Sequence, residues 1–509
     1  MGEKRAYYYW LYAMFPVVYL YTHNIEEVFP QVIFLPLIVS LTVGMLLWGF
    51  FRLIFKHPQK SALLTFLVLF MIFTFGHVMN IFGYSQVGRA RLAAYLIYPW
   101  IAVFLGFTIL VARTRKSLKT LTLFLNVCML SLFLFSVGKV ILFYAVPEKI
   151  SAPDHVLPDK LPTVNTLNRE ELPDIYYFIF DRYAGSKTLE EYFHFDNNEF
   201  TSFLEDLGFY VAADSLCNYP GSYLSISSSL NMQFHNHLVR EGPVRKRVFY
   251  QMLQDFKVWR LLKSAGYKYF HFGSWWEPTK INRYADMNFR GSGTIDLNQD
   301  FMIKLLDSTI LLGFFQTSVT AAKGRRAVLA TFANLTEVPN MTGPKFVFAH
   351  ILLPHQPYQF DSNGEFLKAS LRSQRTPSEN YINQLKFTNM KIMQLVSEIL
   401  EKSSRPPVII IQADEGPRKR IISLKNLRLK YAEEGEERTS EKIRCQILNA
   451  YYLPGIEDSV LYPHITPVNS FRLVFNLYFG TDFELLEDKT YSMRKEGKKL
   501  RKFTEVKLR

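Results

Sequence analysis

The sequence predicts a two-part α/β membrane protein. An N-terminal bundle of about five transmembrane helices precedes a domain whose mostly parallel sheet is covered by helices. Three observations carry that prediction. Five long apolar stretches fall before residue 147, at about 7–22, 29–51, 61–83, 92–112 and 121–146. After residue 172, short and fully apolar runs alternate with helical stretches, the pattern of a sheet buried on both faces. Two of those runs end in acidic residues, Asp181 and Asp414-Glu415, where open α/β sheets place their sites.

Each apolar stretch reaches or approaches the ~20 residues that cross about 30 Å of hydrocarbon. The stretch 7–22 is the weakest, being short and rich in Tyr; without a small-residue cleavage site it reads as retained rather than as a signal peptide. Lys4, Arg5, Arg52, Lys56, Lys60 and the Arg113–Lys119 cluster alternate with connections that carry Glu26 and Glu27, or only Arg89 and Arg91. Positive residues stay on the cytoplasmic side. The N-terminus is therefore expected in the cytoplasm of a multi-pass plasma-membrane protein, with everything after about residue 147 outside.

The formal charge of +14 divides unevenly. Residues 1–150 hold 13 Lys/Arg against 4 Asp/Glu, and the remainder 46 against 41. No basic stripe interleaved with aromatics points to nucleic acid, so the basic patches are assigned to lipid headgroups or an envelope polymer. Of the three cysteines, Cys128 lies in the fifth apolar stretch. Cys217 and Cys445 would both be outside, where a bridge is chemically allowed, but their separation is not legible in sequence.

The expected organisation is a transmembrane domain over 1–147, a Pro-rich linker over 148–172, a catalytic-size domain over 173–485 and a basic tail over 486–509. Strands are predicted at Tyr176–Phe180, Gly208–Ala212, Tyr267–Phe272, Pro344–His350, Pro406–Ala413 and Ile447–Leu453. Helices are predicted over 188–207, 244–265, 378–400 and 467–478, and 298–337 reads as mostly helical with Leu305 and Leu306 among its core contacts. The heavily charged stretch 418–442 reads as mobile. Trp275-Trp276 marks an aromatic loop that either lines a substrate mouth or is a packed turn.

Candidate chemistry gathers at strand ends. Asp181, Asp414 and Glu415, with the Ser222 hydroxyl as a further metal ligand, are hard oxygen donors that suit Mg²⁺ or Mn²⁺, with Zn²⁺ also admissible. Ser222 follows a Pro-Gly break and opens a helix, whose start leaves N–H groups free for an anion. A metal beside that hydroxyl would withdraw charge from a transferring group and leave a covalent seryl ester. His355, between two prolines, is the expected contact for the transferred group, and His350 the weaker choice. Arg182 either points into the cleft or makes an exposed ion pair.

These pieces resemble the alkaline phosphatase/sulfatase superfamily, in the branch of lipoteichoic acid synthases and phosphoethanolamine transferases. The resemblance covers about 172–480 and rests on Tyr176-Tyr-Phe-Ile-Phe-Asp181, Asn218–Met232, His350-Ile-Leu-Leu-Pro-His-Gln-Pro-Tyr358 and Ile410–Pro417. It implies a sulfatase-like fold with Asp181 and Asp414 as metal carboxylates, Ser222 at the place of a nucleophilic threonine and His355 on the transferred group. Two departures stand out. The family's late Asp-His-Gly reads Asp414-Glu415-Gly416, a more anionic set less suited to zinc. Neither Cys217 nor Ser222 begins the C/S-x-P-x-R motif of formylglycine sulfatases.

The expected activity is metal-dependent transfer of a phosphoryl-containing group through Ser222, from a lipid-linked donor to an envelope glycan or polymer. The alternatives are a sulfuric or phosphoric ester hydrolase, and a binding or scaffold protein of the envelope kept in play by Glu415.

Overall fold

The computed structural model describes residues 5–26, 28, 30–81, 86–146, 158, 160–161, 172–289, 299–311 and 319–508. Most of the expected 148–172 linker lies outside them. The chain divides into two compact units, Met1–Pro147 with Thr294–Thr320, and Glu148–Gly293 with Ala321–Arg509.

The first unit is a helical bundle: α1 (Tyr8–His23), α2 (Phe34–Phe55), α3 (Pro58–Ile81), α4 (Gln86–Arg113) and α5 (Lys119–Ala145). Among the described residues four spans, not five, are long and apolar enough to cross a membrane: Pro30–Phe55, Pro58–Met79, Tyr95–Arg113 and Lys119–Ala145. At 16 residues α1 is too short to count among them, because each residue adds only about 1.5 Å. It nevertheless runs parallel to α5. Asn126 accepts from the Tyr7 and Tyr8 N–H groups at one end (2.8 and 3.0 Å), and the Tyr21 and Tyr144 hydroxyls meet at the other (2.8 Å).

The segment around Gln299–Asp307 belongs to this bundle, although its apolar residues read in sequence as contacts of the later domain. Phe301 and Leu305 are buried with Val17, Tyr21 and Val32. The segment also opens one turn of α3: the Ile72 carbonyl accepts from the Ile310 N–H, and the Gly76 N–H donates to the Ser308 carbonyl (both 3.1 Å). A Cβ at Gly76 would fall 1.9 Å from the Asp307 carbonyl oxygen, so only glycine admits this approach.

The second unit is built on a seven-stranded sheet. Its strands are β1 (Ile175–Phe180), β2 (Tyr210–Val211), β3 (Lys268–Phe272), β4 (Met287–Phe289), β5 (Lys345–Ile351), β6 (Val408–Ala413) and β7 (Asn449–Tyr452), in spatial order β2-β7-β6-β1-β5-β3-β4. The pairs β6-β1, β1-β5, β5-β3 and β3-β4 are parallel, whereas β7 runs antiparallel to β6 and to β2. The central strands β1, β5 and β6 are buried at every residue. Side chains alternate between the two faces: Tyr176, Phe178 and Phe180 enter one core and Ile175, Tyr177 and Ile179 the other. That double burial is why these strands read as continuous apolar runs.

The helix Pro377–Lys402 matches its amphipathic pattern and opens on a reciprocal capping box between Thr376 and Glu379. Expectation fails over 418–442. Its charges sit on two helices, Leu424–Glu434 and Glu436–Cys445, held by pairs such as Lys442–Glu434 (2.7 Å) and Lys430–Glu191 (2.7 Å). Within the basic stretch 486–509, β8 (Thr490–Glu496) and β9 (Lys499–Val506) form a hairpin, and Leu500 and Phe503 reach the core.

Candidate functional site

Parallel pairing decides which residues meet. Phe180 is in register with Ala413 on β6 and with Ile351 on β5. Asp181 and Asp414 therefore leave adjacent strands side by side, with His350 one residue back on the third. Ligand atoms of Asp181, His350 and Asp414 all lie within 4.8 Å of one another, and all three residues are buried.

Each of the three keeps a buried polar atom without a hydrogen-bond partner: Asp181 Oδ1, His350 Nε2 and Asp414 Oδ2. Orphaned groups of this kind are uncommon and destabilising, and three converging ones fit a cation. The other Asp414 oxygen accepts from the Arg182 and Glu415 N–H groups (3.1 and 2.8 Å). His350 Nδ1 lies 2.8 Å from the Thr279 hydroxyl. With the proton on Nδ1, the Nε2 lone pair is free for a metal. Two carboxylates and an imidazole make a mixed oxygen and nitrogen set for a divalent cation, where sequence led to an all-oxygen one.

The electrostatics follow from burial. Desolvation, opposed by Arg182 and reinforced by Glu415, pushes the Asp181 carboxyl up to about 7. Asp414 is also raised by burial and by its neighbours Asp181 and Glu415, and the nearby Ser222 lowers it in part. Burial pushes His350 down to about 3, which keeps the ring neutral, the form that ligates metal.

Ser222 begins the helix Ser222–Asn231, and Gly221 is its N-cap. Ser222 lies close enough to Asp414 to influence that carboxyl. Glu415, expected as a ligand, pairs with arginines: Arg444 Nη2 lies 2.5 Å from one oxygen and Arg182 Nε 3.5 Å from the other. The turn enforces this. A Cβ at position 416 would sit 2.2 Å from the Ile443 carbonyl oxygen, so Gly416 lets the 443–446 segment press against the acidic turn. The Gly416 N–H donates to the Arg444 carbonyl (2.6 Å).

Arg182 has a left-handed backbone (φ 63°), an unfavourable region for a residue with a Cβ. Its guanidinium lies between Asp181 (4.0 Å) and Glu415 (3.5 Å). The ring of His355 is lowered to about 3 by burial and then by the Arg182 charge, and its Nδ1 is buried without a partner. Trp275 packs near His355 (6.3 Å between ring centres) and Trp276 edge-on to His350 (5.6 Å), so the aromatic loop does face this region. Sequence reasoning ranked His350 below His355 and passed over Thr279 and Arg444. The available signal for His350 was its place near the end of an apolar strand, like Asp181 and Asp414.

No family model matches the chain, and no curated protein matches it. Solved structures do, at low identity. The C-terminal periplasmic domain of EcEptC from Escherichia coli, in complex with Zn, matches at 14% identity and a TM-score of 0.42, covering 66% of this chain and 93% of that one. The corresponding domain of phosphoethanolamine transferase EptC from Campylobacter jejuni matches at 12% and 0.38, over 62% and 92%. The integral membrane protein lipooligosaccharide phosphoethanolamine transferase A (EptA) from Neisseria meningitidis matches at 11% and 0.40, over 94% and 96%. The chemistry of the site rests on its own side chains.

Proposed function

We propose that this chain is a metal-dependent transferase of a phosphoryl-containing group, working through Ser222 at the outer surface of the membrane. The observation that carries this reading is the convergence of Asp181 Oδ1, His350 Nε2 and Asp414 Oδ2, buried and unpartnered, beside a hydroxyl at a helix start.

Asp181, His350 and Asp414 would hold the cation, zinc or manganese by donor type. When bound, it withdraws charge from the ester and favours ionisation of a nearby hydroxyl. The chain's own residues do the rest. Ser222 Oγ attacks phosphorus, the bond to the leaving alcohol breaks, and that alcohol departs with a proton. An acceptor hydroxyl then displaces Ser222; with water instead, the same steps are hydrolysis. Arg182 and His355 flank the position of the transferred group. Arg182 supplies fixed positive charge there, and Glu415 serves as its anchor.

The membrane reading supplies the donor. The Arg113–Lys119 cluster puts the start of α5 on the cytoplasmic side, and α5, one of the four spans, carries the chain to the extracytoplasmic face. A lipid-linked donor and an envelope glycan or polymer acceptor suit that placement.

The test uses full-length protein in detergent, loaded with Zn²⁺ or Mn²⁺, and bis(p-nitrophenyl) phosphate as probe. Nitrophenol release with an acid-stable mass gain on the peptide bearing Ser222 is expected. Release that persists undiminished in Ser222→Ala would sink the mechanism. Metal binding without any release would favour the scaffold reading.

A further inference from the structure

Two thiols face one another at the base of the loop that carries Ser222. Leu216 and Gln446 form an isolated antiparallel bridge. It is flanked by the Cys217 N–H donating to the Cys445 carbonyl (2.8 Å) and the Ile447 N–H donating to the Ser215 carbonyl (3.2 Å). That register sets Cys217 directly opposite Cys445. Cα atoms directly opposite one another in antiparallel pairing are about 4.5–5.5 Å apart, inside the range of about 4.4–6.8 Å that disulfides span. The two thiols are close enough to influence one another, Cys217 Sγ is 3.8 Å from the Arg444 carbonyl, and both residues are buried.

We propose that Cys217 and Cys445 form a disulfide that ties the Ser222 loop to the Arg444 segment. The proposal rests on the extracytoplasmic placement of the second unit argued above, because structural disulfides persist in oxidising compartments. Two S–H bonds break and one S–S bond forms. The two electrons and the two protons pass to the disulfide of a thiol–disulfide oxidoreductase, which leaves as its dithiol. Burial, then the neighbouring Cys445, pushes the Cys217 thiol well up, so exchange belongs to the folding chain, before the loop closes. Once closed, the bond is shielded from reductants.

The position gives the bond a role. Arg444, one residue before Cys445, donates to the Pro220 carbonyl (2.8 Å) and to Glu415 (2.5 Å). Pro220 and Gly221 lead directly into Ser222. A covalent tie there holds the nucleophile's loop against the guanidinium that fixes Glu415, where either contact alone is a hydrogen bond that can open.

The test is made on the full-length protein in its own membranes. It is denatured with N-ethylmaleimide and no reductant, and its intact mass is read. One adduct, on Cys128, is expected, against three after prior reduction; three adducts without reduction overturn the proposal. The side of the second unit is read separately by adding exposed Ser459→Cys to a Cys128→Ser, Cys217→Ser, Cys445→Ser chain and labelling spheroplasts with an impermeant maleimide. Labelling together with three wild-type adducts retains the topology and sinks the bridge; label only after lysis, with three adducts, sinks both. As a second reading, reductant present throughout unfolding should lower the wild-type Tm by several degrees and leave the Cys217→Ser, Cys445→Ser protein unmoved. An equal response from both proteins also overturns the bridge.

Discussion

Arg444 Nη2 lies 2.5 Å from the carboxylate of Glu415, the residue that follows Asp414 of the three-residue cluster. Glu415 is buried while Arg444 is about a third exposed, so the pair is only partly screened. Arg444→Ala should destabilise the protein by about 1–3 kcal/mol, since removing one partner strands a buried charge. Glu415→Gln should leave bound metal unchanged by elemental analysis. Loss of metal in Glu415→Gln, to the extent seen in Asp181→Asn, would make Glu415 a ligand after all.

Ser222→Ala should remove turnover of the nitrophenyl ester by a factor on the order of 10³ or more, as loss of a covalent nucleophile does. Thermal stability should fall by no more than about 1 kcal/mol, the worth of a single hydroxyl's hydrogen bond. Steady-state rates and a melting curve on the same preparation separate the two effects.

The two histidines should part company in a metal titration. His350→Ala removes a donor atom, and Asp414→Ala removes another, so both should lose saturable Zn²⁺ or Mn²⁺ binding by calorimetry. Thr279→Val keeps the donor but loosens its ring, with an expected loss of about 10-fold to 100-fold in affinity. His355→Ala should bind metal like the wild type and raise KM instead. A His355→Ala protein without metal would interchange their roles.

Metal affinity should depend on pH through Asp181. Its carboxyl, ordinarily near 3.8, is raised to about 7 in the metal-free fold. A raised acid stabilises the fold fully below its unfolded value, and that contribution disappears as pH rises through about 7. His350 has the opposite sign: lowered to about 3, it favours the fold above 6.5 and opposes it as pH falls toward 3. A cation must displace the Asp181 proton. Affinity should therefore climb about tenfold per pH unit for each proton displaced between about pH 4 and 7, then flatten. Isothermal titration at pH 5, 6, 7 and 8 reads the slope, and Asp181→Asn should abolish it.

What could be read without coordinates was whatever depends on local pattern. Uninterrupted apolar runs announced β1, β5 and β6 because those strands are buried on both faces, and acidic residues after β1 and β6 marked the site because parallel strands end together. The apolar helices were legible for the same reason, since hydrocarbon demands length and composition that a linear pattern displays. Other outcomes depended on partners distant along the chain. His350 joins Asp181 only through the β1–β5 register, and Glu415 is drawn to Arg444 by a backbone approach that Gly416 permits. Charge pairing likewise turned the stretch 418–442 into helices, and Phe301 and Leu305 found their core on α1 rather than beside the sheet. Composition shows that a side chain must be buried or neutralised; tertiary structure decides against what, because the partner is chosen by packing and register rather than by sequence neighbourhood.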